Sequence, residues 1–119
     1  MAALDIKFNG LDQSEKLTEL IEGRVSRLEH FYDEIQACKV VVSVPHRHHR
    51  NKYFHVQIQL QVPRNVLIVN HEPEKNERHQ DAYSAVNDAF AAMTRQLESY
   101  VTKLRGKVKL HIKPELQTQ

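Results

Sequence analysis

The chain has 119 residues, 40 % hydrophobic and 27 % charged, the make-up of one folded domain rather than of a disordered, fibrous or two-domain protein. Its one cysteine, Cys38, excludes an intramolecular disulfide framework and a cysteine-rich zinc module. Seventeen Lys and Arg against fifteen Asp and Glu leave a net charge of only +2, so bulk charge neither demands nor excludes a nucleic-acid partner. No apolar run approaches the roughly 20 residues of a membrane span. The start, Met1-Ala2-Ala3-Leu4-Asp5, lacks the basic and apolar regions of a secretory signal, so no membrane partner and a cytoplasmic location are expected.

Leu4, Ile6 and Phe8 alternate with Asp5, Lys7 and Asn9, the period of a strand with one buried face, closed by Asn9-Gly10. Asp12-Gln13-Ser14-Glu15 has the form of a capping box with Asp12 as its first residue, and Leu17, Leu20, Ile21, Val25 and Leu28 then carry an amphipathic helix to about His30. A β-branched run from Ala37 to Val44 predicts a second strand, stopped at Pro45, and the polar stretch His46 to Lys52 predicts a loop. In the third strand Phe54, Val56, Ile58, Leu60 and Val62 point inward, while Tyr53, His55, Gln57, Gln59 and Gln61 point to water. Pro63-Arg64-Asn65 turns the chain into a fourth strand, Val66 to about Asn70, forming an antiparallel hairpin. After a charged connection, His71 to Gln80, the residues Tyr83, Val86, Phe90, Met93, Leu97, Val101 and Leu104 sustain a long second helix, with Gly106 as its expected stop.

The order β-α-β-β-β-α predicts an α+β two-layer sandwich: a four-stranded mixed sheet with two helices on one face. The first two strands are expected parallel, through a right-handed crossover, and the rest a meander. Residues 1–105 make the domain, and 106–119 a basic tail whose order the pattern leaves open.

Near-neutrality conceals blocks of charge. The balances of residues 1–38, 39–64, 65–98 and 99–119 are −4, +5, −3 and +4. At ~100° per residue, Glu15, Glu19, Glu22 and Glu29 fall on the outward face of the first helix, while Lys16, Arg24 and Arg27 lie toward one flank. Arg24 is close enough to the apolar stripe for its stem to pack. A basic flank beside an acidic back suits one-sided engagement of a polyanion, through phosphate neutralisation that needs no particular base. With Tyr53 the one aromatic on the wet strand face, recognition of RNA backbone and shape is expected rather than base stacking on the sheet.

Other chemistry is poorly supported. Pro45-His46-Arg47-His48-His49 invites a metal reading, but Arg47, Arg50 and Lys52 interleave its imidazoles with positive charge. His71 with Glu72 and His79 with Asp81 resemble ordinary surface pairs more than acid/base couples. Cys38, at the entrance to an apolar strand, is expected to be buried rather than nucleophilic. No phosphate-cradling glycine loop, serine elbow or carboxylate pair is found. No enzyme, cofactor or metal is expected. Asp81 suits the positive end of the second helix, and Tyr83 opens its apolar stripe.

Three blocks carry a resemblance: Arg24-Val25-Ser26-Arg27-Leu28-Glu29-His30-Phe31 at the end of the first helix, Asp81-Ala82-Tyr83-Ser84-Ala85-Val86-Asn87 at the start of the second, and Arg95-Gln96-Leu97. In these blocks the chain resembles the bacterial ribosome hibernation promoting factor and ribosome-associated inhibitor family, over about residues 4–107. The resemblance implies a fold similar to double-stranded RNA-binding domains. It also implies a non-catalytic blocker that binds the small ribosomal subunit and its ribosomal RNA at the decoding region and silences translation under stress; DNA is not an expected partner. By position it implies that Arg24, Arg27, Arg95 and Lys103 contact RNA phosphates, and that Tyr83 steadies the helix start. The chain departs from the family at Ala92 and Ser99, where lysines are frequent, and at the His46–Lys52 and His71–Gln80 segments. Arg47, Arg50, Lys52, Arg105 and Lys107 extend the expected RNA-binding set. The extended domain through which long members pair ribosomes is not in this sequence, so pairing by that route is not expected. The alternative is a regulatory protein-binding module that uses the acidic helix back or the wet strand face.

Overall fold

The computed structural model describes residues 2–44, 53–72 and 81–112, the side chains of 107–112 excepted. Strand β1 (Ala3–Asn9), helix α1 (Glu15–Phe31), strands β2 (Ala37–Ser43), β3 (His55–Val62) and β4 (Asn65–His71), and helix α2 (Ala82–Ile112) follow in the predicted order. The sheet runs β1-β2-β3-β4, with β1 parallel to β2 and the other neighbours antiparallel.

Alternation makes one sheet face dry. Val40 lies opposite Ile58, Val42 opposite Val56 and Cys38 opposite Leu60, and none of these six is more than 2 % exposed. Truncating Leu60 to Ala would open a cavity costing about 2–5 kcal/mol. Leu17, Ile21, Val25 and Leu28 of α1 and Val86, Phe90, Met93, Leu97 and Val101 of α2 belong to the same buried cluster as this face, so both helices cover one side of the sheet. The opposite side is open: Lys7, Lys39 and Gln61 are exposed there, and so are Val66 and Ile68 of β4.

Several local expectations are corrected. The cap of α1 is Ser14, not Asp12: the Ser14 hydroxyl accepts from the Leu17 backbone N–H at 3.2 Å, and Thr18 Oγ1 donates to the Ser14 carbonyl at 2.8 Å. Leu11 packs against the core, which keeps the chain extended through Ser14 before the helix begins. Gly106 does not stop α2, which continues to Ile112; an interior glycine costs only about 1 kcal/mol relative to alanine. Tyr53 is buried instead of wet, because it precedes β3 and escapes that strand's alternation. Its hydroxyl donates to Glu72 Oε1 at 2.8 Å. Glu29 is half-buried and accepts from the Ala2 N–H at 2.8 Å, so it ties α1 to the start of β1 rather than joining the outward acidic face.

The β3–β4 link is a two-residue turn, Pro63-Arg64, between the paired Val62 and Asn65. Arg64 takes a positive φ of 66° after the proline, the type II arrangement. Tyr100 of α2 donates from its hydroxyl to the Pro63 carbonyl at 3.0 Å, which pins the helix over this turn.

Candidate nucleic-acid interface

Helix α1 carries its basic flank toward α2. Arg24 is half-buried, its stem beside the apolar stripe, and its Nε donates to Oδ1 of Asn87 on α2 at 2.9 Å. A guanidinium is a planar fork, so fixing Nε fixes the direction of its two Nη groups as well. Arg24, exposed Arg27, Asn87, Phe90, Ala91 and Thr94 line a groove of about 250 Å³ between the helices. The Thr94 hydroxyl donates to the Phe90 carbonyl at 2.8 Å. Among the described residues the two arginines are the cationic groups of this groove, and two guanidinium forks beside small side chains favour an anion with several acceptor oxygens, such as phosphate.

The helices run in the same general direction: Arg24 meets Asn87, and further along Tyr32 meets Tyr100 edge-on, with ring centroids 6.1 Å apart. Down α2 the helical repeat separates the remaining cations. At ~100° per residue, Arg105 returns to the flank of Asn87, exposed Arg95 lies about 80° further out, and exposed Lys103 sits about 160° around, on the far flank. Arg24 and Arg27 thus share one groove, Arg105 continues its line, Arg95 borders it and Lys103 stands apart. Arg47, Arg50 and Lys52, like His46, His48, His49 and His79, lie outside the described residues, as does the side chain of Lys107.

Asp81 is the N-cap of α2, one position before the first turn: the Ser84 backbone N–H donates to its Oδ1 at 2.7 Å. That bond holds the Asp81 carboxyl below its ordinary range. Tyr83 is 42 % exposed and does not open the buried stripe, which begins at Ala85 and Val86. Asp81 and those two residues hold the helix start. His71 Nε2 faces Asp88 Oδ2 of α2 at 3.9 Å, and Glu72 accepts from Tyr53.

Cys38 is buried, and desolvation pushes its thiol up to about 12, aided by the nearby Glu29 carboxylate. Among the described residues no three His, Cys, Asp or Glu side chains stand together as a metal site needs. No helix among them is long and apolar enough to cross a membrane.

Asn87 is the site residue that sequence reasoning missed. It ends the Asp81–Asn87 block, but its role depends on which flank of α1 meets α2, and helical periodicity fixes only the buried stripes.

The chain is similar to proteins of known description. The ribosome hibernation promotion factor of Deinococcus radiodurans is 25 % identical over 103 residues, covering 87 % of this chain and 51 % of that protein. The chain thus spans about half the length of this relative. The structure of a ribosomal subunit interface protein from Coxiella burnetii superposes with a TM-score of 0.69 at 21 % identity, covering 84 % of this chain and 98 % of that one. The N-terminal domain of Thermus thermophilus Protein Y gives a TM-score of 0.66 at 19 % identity, covering 82 % and 98 %. At these identities the two structures establish the shared fold, a four-stranded mixed sheet with two helices. The model of a family of non-catalytic binding proteins matches residues 4–105, most of the chain. By that match the chain belongs to the Sigma 54 modulation protein / S30EA ribosomal protein family.

Proposed function

We propose that this protein is a cytoplasmic, non-catalytic translation inhibitor of the hibernation type, which binds the small ribosomal subunit near the decoding region through basic contacts to ribosomal RNA. The observation that carries the proposal is the groove between α1 and α2, in which Arg24, held by Asn87, and Arg27 present their guanidinium groups together. Family membership supplies the class of partner, and segregated charge supplies the physical means: cations gathered on one face gain affinity by releasing counterions from phosphates. Arg95 and Arg105 border the same face and extend it; Lys103, and the segment with Arg47, Arg50 and Lys52, belong to the proposed contact set by family position and charge. A body of this size seated where messenger and transfer RNA pass would block translation sterically.

The test is cosedimentation with isolated small subunits at low and high salt. Association at low salt that weakens steeply as salt rises supports the proposal; absence from the subunit fraction at low salt contradicts it. A protein-binding module is the second reading, favoured by Val66 and Ile68, 48 % and 46 % exposed on the open sheet face. Pull-down after RNase treatment separates the two, because a partner held by protein contacts survives digestion.

A further inference from the structure

Beyond the arginine groove, α1 ends in a second cleft whose chemistry differs. It measures about 760 Å³ and is lined by Phe31, Tyr32, Asp33, Glu34, Leu104 and Arg105, among others. Phe31 lies seven residues after Arg24 and four after Arg27, which places it on the same face of α1, about 10 Å beyond Arg24 along the axis. It is 43 % exposed, a large aromatic left open at the end of a line of cations. The neighbouring wall is braced: Tyr32 packs edge-on against Tyr100, 6.1 Å between centroids, and Tyr100 is bonded to the Pro63 carbonyl at 3.0 Å.

We infer that this cleft takes one unstacked nucleobase of the RNA whose phosphates Arg24 and Arg27 hold, with Phe31 as the stacking platform; this rests on the proposed RNA-binding function. Two observations favour a base over another phosphate. An exposed ring offers a stacking face, and every base has one. The carboxylates of Asp33 and Glu34 on the cleft repel phosphate but accept hydrogen bonds from the exocyclic amino group of adenine, cytosine or guanine. Arg105, on the flank of α2 that Asn87 shares, supplies a cation for the adjoining backbone or a second planar surface against the base. The cleft also follows the arginine groove along the same flanks of both helices, Phe31 after Arg24 and Arg27 on α1 and Arg105 in line with Asn87 on α2, so one strand can reach the two sites together.

Binding of fluorescently labelled pentanucleotides to the full chain tests this. The wild type is expected to bind pentaadenylate roughly tenfold more tightly than an abasic pentamer with the same phosphates. Pentauridylate, whose bases carry no amino group, is expected to fall between them. Phe31→Leu, which keeps an apolar side chain, removes the preference for pentaadenylate, whereas Phe31→Trp retains it. Arg24→Ala with Arg27→Ala weakens all three ligands alike. Equal binding of pentaadenylate and the abasic pentamer, with both still weakened by loss of the arginines, overturns the base site and leaves the RNA-binding function standing. If Phe31→Leu lowers small-subunit association while the pentamers bind alike, the cleft holds a protein segment and the inference is wrong. Pentamer binding indifferent to Arg24 and Arg27, with no association to small subunits, defeats the underlying function instead.

Discussion

The Nε of Arg24 donates a 2.9 Å hydrogen bond to Oδ1 of Asn87, a residue 63 positions away on the other helix. The contact joins α1 to α2 and aims a half-buried guanidinium along the groove between them. Replacing Asn87 by Ala is therefore expected to weaken small-subunit binding several-fold, since a hydrogen bond to a charged group is worth about 1.5–3 kcal/mol and part is regained from water. In an Arg24→Ala background the same substitution should cost nothing further, because the two residues act as one unit. Additive losses, measured by equilibrium binding across the double-mutant cycle, would remove Asn87 from the site.

Ser14 rather than Asp12 caps α1. Ser14→Ala is expected to lower unfolding stability by about 1 kcal/mol in urea denaturation. Asp12→Ala should leave the midpoint nearly unchanged; the opposite order of effects would restore Asp12 as the cap.

Asp81 introduces a pH dependence. Its native pKa is lowered below the ordinary 3.8 by the Ser84 backbone N–H, so the unfolded chain takes up the proton first. Its contribution to stability is present above pH 3.8 and is lost as acid carries the pH down through the lowered native value. The melting temperature of the wild type should therefore exceed that of Asp81→Ala by a larger margin at pH 6 than at pH 2. A margin that does not shrink in acid contradicts the cap.

Cys38 is expected to resist thiol reagents in the native protein at pH 8, since burial raises its pKa to about 12. Labelling should appear only with unfolding, and prompt native labelling would contradict its place in the core.

Much of the fold was legible because its elements have clean periods. The alternation from Val56 to Val62 and the spacing of Val86, Phe90, Met93 and Leu97 each allow one buried face, and the short Pro63-Arg64-Asn65 link forces a hairpin. The errors fell where periodicity ends. Tyr53 stands just before a strand, the cap of α1 depends on where Leu11 packs, and an isolated Gly106 is too weak a signal to end a helix. For the site, Arg24 and Arg27 were visible as a basic flank, but their partner was not. Helical spacing separates Asn87 from Lys103, but helix-to-helix orientation decides which of those flanks meets Arg24, and no spacing along the chain encodes it.

The most direct test of the central claim is small-subunit affinity as a function of salt for the wild type and for Arg24→Ala with Arg27→Ala. The account predicts weaker binding by the double variant, a slope of log affinity against log salt shallower by roughly one unit per lost phosphate contact, and an unchanged circular dichroism spectrum. Equal affinity and equal slope in the two proteins would show that the groove between α1 and α2 is not where RNA binds.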